Sequence, residues 1–374
     1  PVPGTWAGAD ELEAIAAAMG RAGHGVFELA SDMAPAADEF AWMRRMSRES
    51  GVPVTFAMLQ SPMHPNGWRD MLNMATEANG DGANVYAQIA IRPTGLVLGW
   101  ESTVNPFSFQ PSYQAIAHLP LNERLERLRD PEVRARIIAE RPPIEGELAV
   151  LRMILAQGFD RMFRLMTENG PDYEPAPEAS VAAEAKRSGK DPRAIVYDML
   201  MESDGRGYVY LPLLNYAEFN FDHIHEMLQS DRTVLSLSDG GAHCGVICDA
   251  SFPTYLLTHW VRDRNRGKRI TLEQAIKRQC HDTARLYGLA DRGTLMPGMR
   301  ADINIIDLEA LSIDAPQVVY DLPAGGRRLI QRASGYRHTF VAGAETFRDG
   351  KSTGAKPGKL IRGTQRPALA AAAE

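Results

Sequence analysis

Several stretches bring together residues that could do chemistry. The densest is Thr233–Asp249, TVLSLSDGGAHCGVICD. An apolar run rich in strand formers (Val234, Leu235, Leu237) stops abruptly at Ser238-Asp239-Gly240-Gly241. A buried parallel strand reads as such a run closed by turn residues, so Asp239 stands where a strand opens into its loop. In a β/α architecture that C-terminal rim carries the chemistry, and two glycines let the backbone turn tightly beside the carboxylate. Asp239 therefore reads as a metal-binding or proton-handling carboxylate, or as a loop-starting Asp beside a Gly-Gly turn.

Two other patterns imitate metal sites. His223-x-His225 lies in Asp222–Leu228, which reads as a helix with Asp222 as its cap. Residues two apart on a helix do not face each other, so the pair is not expected to chelate one ion. Cys244 and Cys248 have C-x3-C spacing, but only Cys280 remains beside them. With no second cysteine pair to complete a tetrahedral site, they read as small packing residues.

The elements that must position Asp239 alternate along the N-terminal part. Helical spacing over Gly4–Arg21, Glu39–Glu49 and Trp68–Asn79 is interleaved with strand-like Val26–Ala30, Val52–Leu59 and Asn84–Ile91. That alternation is the mark of βαβ units and a parallel sheet. From about Trp100 to Ser230 the rhythm gives way to Pro-containing loops and helices without a clear core strand. One of these, Leu121–Glu140, reads as a single helix capped by Asn122, with alternating charges on a solvated face. Tyr208–Leu214 reads as a strand, and long helices follow over Phe252–Arg264 and Leu272–Tyr287, the second capped by Thr271. From Gly293 short strand-like pieces separated by Gly and Asp turns read as a small β domain.

With 374 residues, 44% hydrophobic and 24% charged, the chain has an ordinary globular composition. A net charge of −6 with both signs interspersed does not suggest a nucleic-acid or anionic-membrane partner. No apolar stretch reaches transmembrane length and no charged-then-apolar signal segment opens the chain. Three cysteines cannot make a disulfide framework, which favours a reducing cytoplasm. The opening Pro1-Val2-Pro3-Gly4-Thr5, without Met, reads as the middle of a loop.

The stretch Gly288–Asp307, GLADRGTLMPGMRADINIID, resembles the closing signature of the amidohydrolase superfamily. Taken with LSLSDGGAH and the helix Asp282–Gly288, it is similar to the D-aminoacylase (N-acyl-D-amino-acid deacylase) branch. The resemblance implies an α/β fold: a (β/α)8 TIM-type barrel flanked by a small β-sandwich. The strands at Val26, Val54, Val85 and Val234 would be barrel strands five to eight. Residues 1–292 would be the C-terminal part of the barrel with a helical insertion at about 100–230, and 293–374 the β-sandwich and tail. Strands one to four, with the family's metal-binding His pair, would precede Pro1. A complementary N-terminal chain or a second copy could then supply them.

The same resemblance implies a hydrolase that cleaves a C–N amide bond of a small N-acyl amino acid with metal-activated water. Asp239 matches the strand-eight aspartate that binds metal, expected to be zinc, and takes a proton from the water. Gln60 falls where the family often places a Lys facing the substrate carboxylate. Arg92, just beyond strand seven, is placed to pair with that carboxylate through its planar fork. His243 is expected to orient substrate or polarise a carbonyl. The family's strand-five and strand-six histidines are replaced by Glu28-Leu29 and Met58-Leu59-Gln60, of which Glu28 alone could be a ligand. Those replacements leave room for cyclic amide or carbamate hydrolysis, or for a metal-free, non-catalytic subunit or fragment.

Overall fold

The computed structural model describes residues 6–31, 37–236, 241 and 243–365. Phe27–Leu29, Val54–Met58, Val85–Ile89 and Thr233–Leu235 form a four-stranded parallel sheet in that order. Register places Glu28, Thr55 and Tyr86 in one row and Ala57, Gln88 and Val234 in another. Side chains alternate along a strand, so these residues share one face and Phe27, Val54, Phe56, Met58, Val85, Ala87 and Ile89 occupy the other.

The apolar face is buried beneath the helices Ala37–Ser50 and Gly67–Gly80, which contribute Phe40, Met43, Met46, Trp68, Met71 and Ala75 to the core. Phe40 meets Phe56 edge-on with ring centroids 5.0 Å apart. Burying each such side chain contributes about 1.5–3 kcal/mol, which fixes the register more firmly than the backbone ladder does. The helix Ala9–Ala22 lies against Ala37–Ser50 at Gly20, where a Cβ would stand 2.3 Å from the Ser50 carbonyl oxygen. Only glycine permits that approach.

The opposite face is polar and partly open, with Glu28 and Ala57 exposed. Among the described residues the outer strands pair on one side only, so the sheet is an open segment and does not close into a barrel. At the Thr233 edge, Arg278 covers the backbone by donating an Nη2 hydrogen bond of 2.6 Å to the Thr233 carbonyl.

The long insertion departs from the expectation of helices without a core strand. Thr94–Leu98 and Phe163–Arg164 flank Val209–Leu214 in an antiparallel sheet. Around it Trp100, Phe107, Tyr113, Leu125, Leu128, Val196 and Tyr197 build a second hydrophobic core. Trp100 stacks on Tyr113 at 5.3 Å. The expected helix Leu121–Glu140 is two helices, Leu121–Leu128 and Pro131–Ala139. Pro131 lacks an N–H and keeps Asp130 extended, with ψ 122°. Asp130, not Asn122, is the capping side chain, accepting from Glu132 and Val133 N–H.

Other helix ends and interiors also differ. Asp222 lies in the first turn of Asp222–Gln229 without capping it; Phe221 holds the cap position. The stretch Phe252–Arg264 begins as an α-helix over Phe252–Tyr255 and widens to a π-helix over Leu256–Asp263. Leu272–Ile276, capped by Thr271 as expected, widens over Lys277–Asp282 before Thr283–Leu286.

The C-terminal strands Ile303–Ile306, Tyr336–Val341, Ala344–Arg348 and Lys351–Ser352 form an antiparallel sheet beside the hairpin of Gln317–Leu322 and Gly326–Ile330. They dock on the Phe252–Asp263 segment: Thr254 Oγ1 meets Tyr336 Oη at 2.8 Å, and Arg262 holds the Leu308 carbonyl and, at 2.9 Å, the Leu311 carbonyl. No helix of the described residues is long and apolar enough to cross a membrane.

Candidate active site

The polar face of the parallel sheet ends in a cavity of about 330 Å³. Glu28 and Gln88 enter it from the strands, Leu235 and Ser236 from the end of the last strand, and Phe252, Gln279 and Tyr287 from the helices. Gln88 is buried and donates from Nε2 to Thr55 Oγ1 at 3.0 Å. Tyr287 shares a hydrogen bond with Gln88, while burial, aided by Glu28, pushes its hydroxyl above the usual tyrosine pKa. Gln279 Oε1 is buried without a hydrogen-bond partner. It lies in the π-helical turn Lys277–Asp282, and such widened turns recur at functional sites. The cavity therefore presents amide, hydroxyl and carboxylate groups against the apolar ring of Phe252.

Asp239 lies outside the described residues. Arg92 is fully buried beside this cavity rather than in its wall. Its Nη2 donates to the Cys248 carbonyl at 2.6 Å and approaches Asp249 Oδ1 at 3.4 Å, leaving Nε and Nη1 unpartnered. Its Cζ stands 3.7 Å from the Tyr173 ring centroid and 4.8 Å from that of Phe252. Phe252 thus touches Arg92 and also lines the cavity.

Gln60 is buried, and both ends of its side chain are used internally. Oε1 accepts the Ala217 N–H at 2.9 Å and Nε2 faces the Pro65 carbonyl at 3.4 Å. His243 is exposed at φ 49°, and its carbonyl accepts from Val246 and Ile247 N–H. Glu28 is exposed at the cavity and makes no ion pair among the described residues. Cys248 is buried, which pushes its thiol up to about 11, whereas Cys244 is half-buried.

The His223-x-His225 pair is split by its helix as expected. His223 is buried with both ring nitrogens unpartnered, and burial holds its pKa down to about 3. His225 instead stacks on Trp260. Trp68, Trp100 and Trp260 are core residues, each about 1% exposed or less.

The amidohydrolase family model matches residues 4–347. The chain belongs to the amidohydrolase family. No curated protein matches it. Among solved structures, a D-aminoacylase described for the role of its binuclear metal centre is similar at 17% identity, with a TM-score of 0.52. The likeness covers 95% of this chain and 59% of that one. A second D-aminoacylase structure, described as defining a novel subset of amidohydrolases, matches at 18% identity and TM-score 0.51 over the same shares. These likenesses establish the α/β fold of the amidohydrolase, of TIM-barrel type. The chain spans about three-fifths of the length of the D-aminoacylases it matches.

Within this amidohydrolase, the described residues hold no group of three or more His, Cys, Asp or Glu side chains that could bind a metal ion. By themselves they do not fit a zinc ion. Two positioning devices have only a faint signature in the sequence. Asn215, fully buried at φ 60°, accepts the Gln60 N–H at 2.7 Å and donates to the Ala90 carbonyl at 3.2 Å. It ties the ends of two sheet strands to the turn after Val209–Leu214. The other is the buried carboxylate of Glu174, held by Arg264 from Nε at 3.1 Å and Nη2 at 3.0 Å, with His259 Nε2 at 2.7 Å. Their sole sequence signal is the Asn that follows the LPLL run and the Arg-rich stretch after Trp260.

Proposed function

We propose that this chain forms the substrate-facing part of a hydrolase that cleaves a C–N amide bond, acting on a small N-acyl amino acid as N-acyl-D-amino-acid deacylases do. The observation that carries this is the family's parallel sheet delivering a polar face and the end of the Thr233–Leu235 strand to one cavity. Asp239 follows the cavity residue Ser236 by three positions in the sequence. A carboxylate there is suited to accept the proton of an attacking water. Gln279 Oε1, unpartnered in the cavity wall, is suited to receive the amide N–H of the substrate.

Arg92, Gln60 and His243 shape this pocket in different ways. Arg92 places a positive charge behind Phe252, toward which a substrate carboxylate is drawn. Gln60 fixes the turn at Asn215–Ala217, and His243 stands exposed on the loop that follows Asp239. A zinc ion of the family type would take Asp239 and donors beyond the described residues, and the open polar face leaves room for a complementary segment or a second copy to bring them.

The test is hydrolysis of N-acetyl-D-amino acids by the full protein, with metal content measured alongside. Asp239→Asn should lower kcat/KM by about 10²–10⁴-fold, the scale of a lost general base. Unchanged turnover, or an intact preparation without bound zinc, would sink the deacylase proposal and favour cyclic amide or carbamate hydrolysis or a non-catalytic role.

A further inference from the structure

The insertion lines a larger cavity, about 730 Å³ and open on one side, that shares no wall residue with the one beside the parallel sheet. Its walls carry Arg141, Arg152, Lys190 and Arg193, against one acid, Asp191. That acid is already engaged: its Oδ1 accepts the Arg193 N–H at 2.8 Å and caps the helix Pro192–Gly205. Elsewhere arginines such as Arg45, Arg134, Arg164 and Arg328 pair with carboxylates. None of the four cavity cations forms an ion pair among the described residues. The three arginines donate to carbonyls instead, as where Arg193 Nη1 donates to Glu140 O at 3.1 Å and Arg152 Nη1 to Pro143 O at 3.2 Å.

Burial makes part of that congregation costly. Arg193 is 8% exposed, and burial together with the neighbouring Arg141 lowers its pKa. Arg152 lies 4.4 Å over the Phe109 ring, with Nε buried and unpartnered. Gln110, 3% exposed, leaves Oε1 unpartnered in the same wall. The positive end of the Pro192–Gly205 helix adds to the same field. Unpaired like charges and orphaned polar atoms around a half-open cavity are relieved by an anion that also brings a hydrogen-bond donor. The volume is that of a small-ligand site.

We propose that this cavity binds a small organic anion: a carboxylate or phosphate for the arginines and Lys190, an O–H or N–H for Gln110, and an apolar body against Phe109. It is a site separate from the amide-cleaving one and does not depend on that activity.

Calorimetric titration of the full chain with 4-hydroxybenzoate, phenyl phosphate, inorganic phosphate and neutral 4-hydroxybenzamide tests this. At least one anion should bind with a Kd below 1 mM while the neutral amide does not, and the stronger of the carboxylate and phosphate arms names the ligand class. Arg141 and Lys190 are exposed, so the pair R141Q/K190Q keeps the fold and should weaken anion binding about tenfold, or 1.4 kcal/mol. R193Q should weaken it further. D239N should leave it unchanged, which separates this site from the proposed catalytic one. Equal binding of the amide, no anion binding below 1 mM, or full affinity in R141Q/K190Q would overturn the proposal.

Discussion

Glu174 Oε2 lies 2.7 Å from His259 Nε2, and the same carboxylate is gripped by Arg264 in a part of the chain with almost no access to water. Burial would raise the Glu174 pKa, but the hydrogen bonds from His259 and Arg264 outweigh it and hold the pKa below the usual carboxylate range. A depressed folded pKa stabilises the protein above the unfolded value and loses that contribution as pH falls. Acid titration of stability should therefore show a loss beginning near pH 4.5, the ordinary glutamate value.

Removing the charge at neutral pH isolates the same relationship. Glu174→Gln leaves the Arg264 guanidinium buried with only the exposed Asp222 as a carboxylate partner. The expected cost is about 3–5 kcal/mol in denaturant unfolding. Arg264→Met combined with Glu174→Gln should recover part of that loss, because the uncompensated charge is gone.

His223 predicts a second, separable acid effect. Its folded pKa is held down to about 3 by burial, against an ordinary value of 6.5. Folding excludes a proton that the unfolded chain binds, so stability is complete above pH 6.5 and declines as pH falls toward 3. His223→Leu should flatten the stability profile across that window while costing little at pH 8. An unaltered profile in the variant would refute the assignment.

Asn215 joins the ends of Val54–Met58 and Val85–Ile89 through two buried hydrogen bonds. Asn215→Ala should cost about 2–6 kcal/mol, since two buried groups are orphaned at about 1–3 kcal/mol each and Ala is disfavoured at positive φ. Asn215→Gly loses the same two hydrogen bonds but carries no Cβ at the positive φ, so the difference between the two variants measures the conformational share.

Arg278 shields the outer edge of the Thr233–Leu235 strand. Replacing it with Met keeps most of the volume but exposes a carbonyl capable of pairing with another strand. Light scattering on heating should show earlier association for Arg278→Met than for the parent, with little change in secondary structure beforehand.

The parallel strands were legible because Val54, Val85 and Val234 each sit in short β-branched runs closed by turn residues. Thr94–Leu98 carries little strand signal because Pro93 and Gly95 are turn formers. Gly95 is instead needed inside a sheet, since a Cβ there would come within 2.7 Å of the Tyr210 ring. The break at Pro131 was masked by continuous charge alternation on either side. The π-helical widening at Leu256–Asp263 and Lys277–Asp282 has no periodicity signal at this length. The place of Arg92 just after a strand is readable in the sequence, whereas its full burial behind Phe252 is set by Tyr173, Phe252 and Tyr255, which are distant in the chain. Partners such as Gln60 and Asn215, 155 positions apart, meet only through the fold.

The second hydrophobic core has a consequence for how the molecule opens. Trp100, Phe107, Tyr113 and Tyr197 pack with one another rather than into the core beneath the parallel sheet. Two cores in one chain favour two cooperative units, each with its own opening free energy. Amide hydrogen exchange should separate protected amides of Val85–Ile89 from those of Pro192–Gly205 into distinct classes under mild denaturant. The insertion then opens on its own, admitting or releasing a ligand, while the parallel sheet stays closed to solvent exchange.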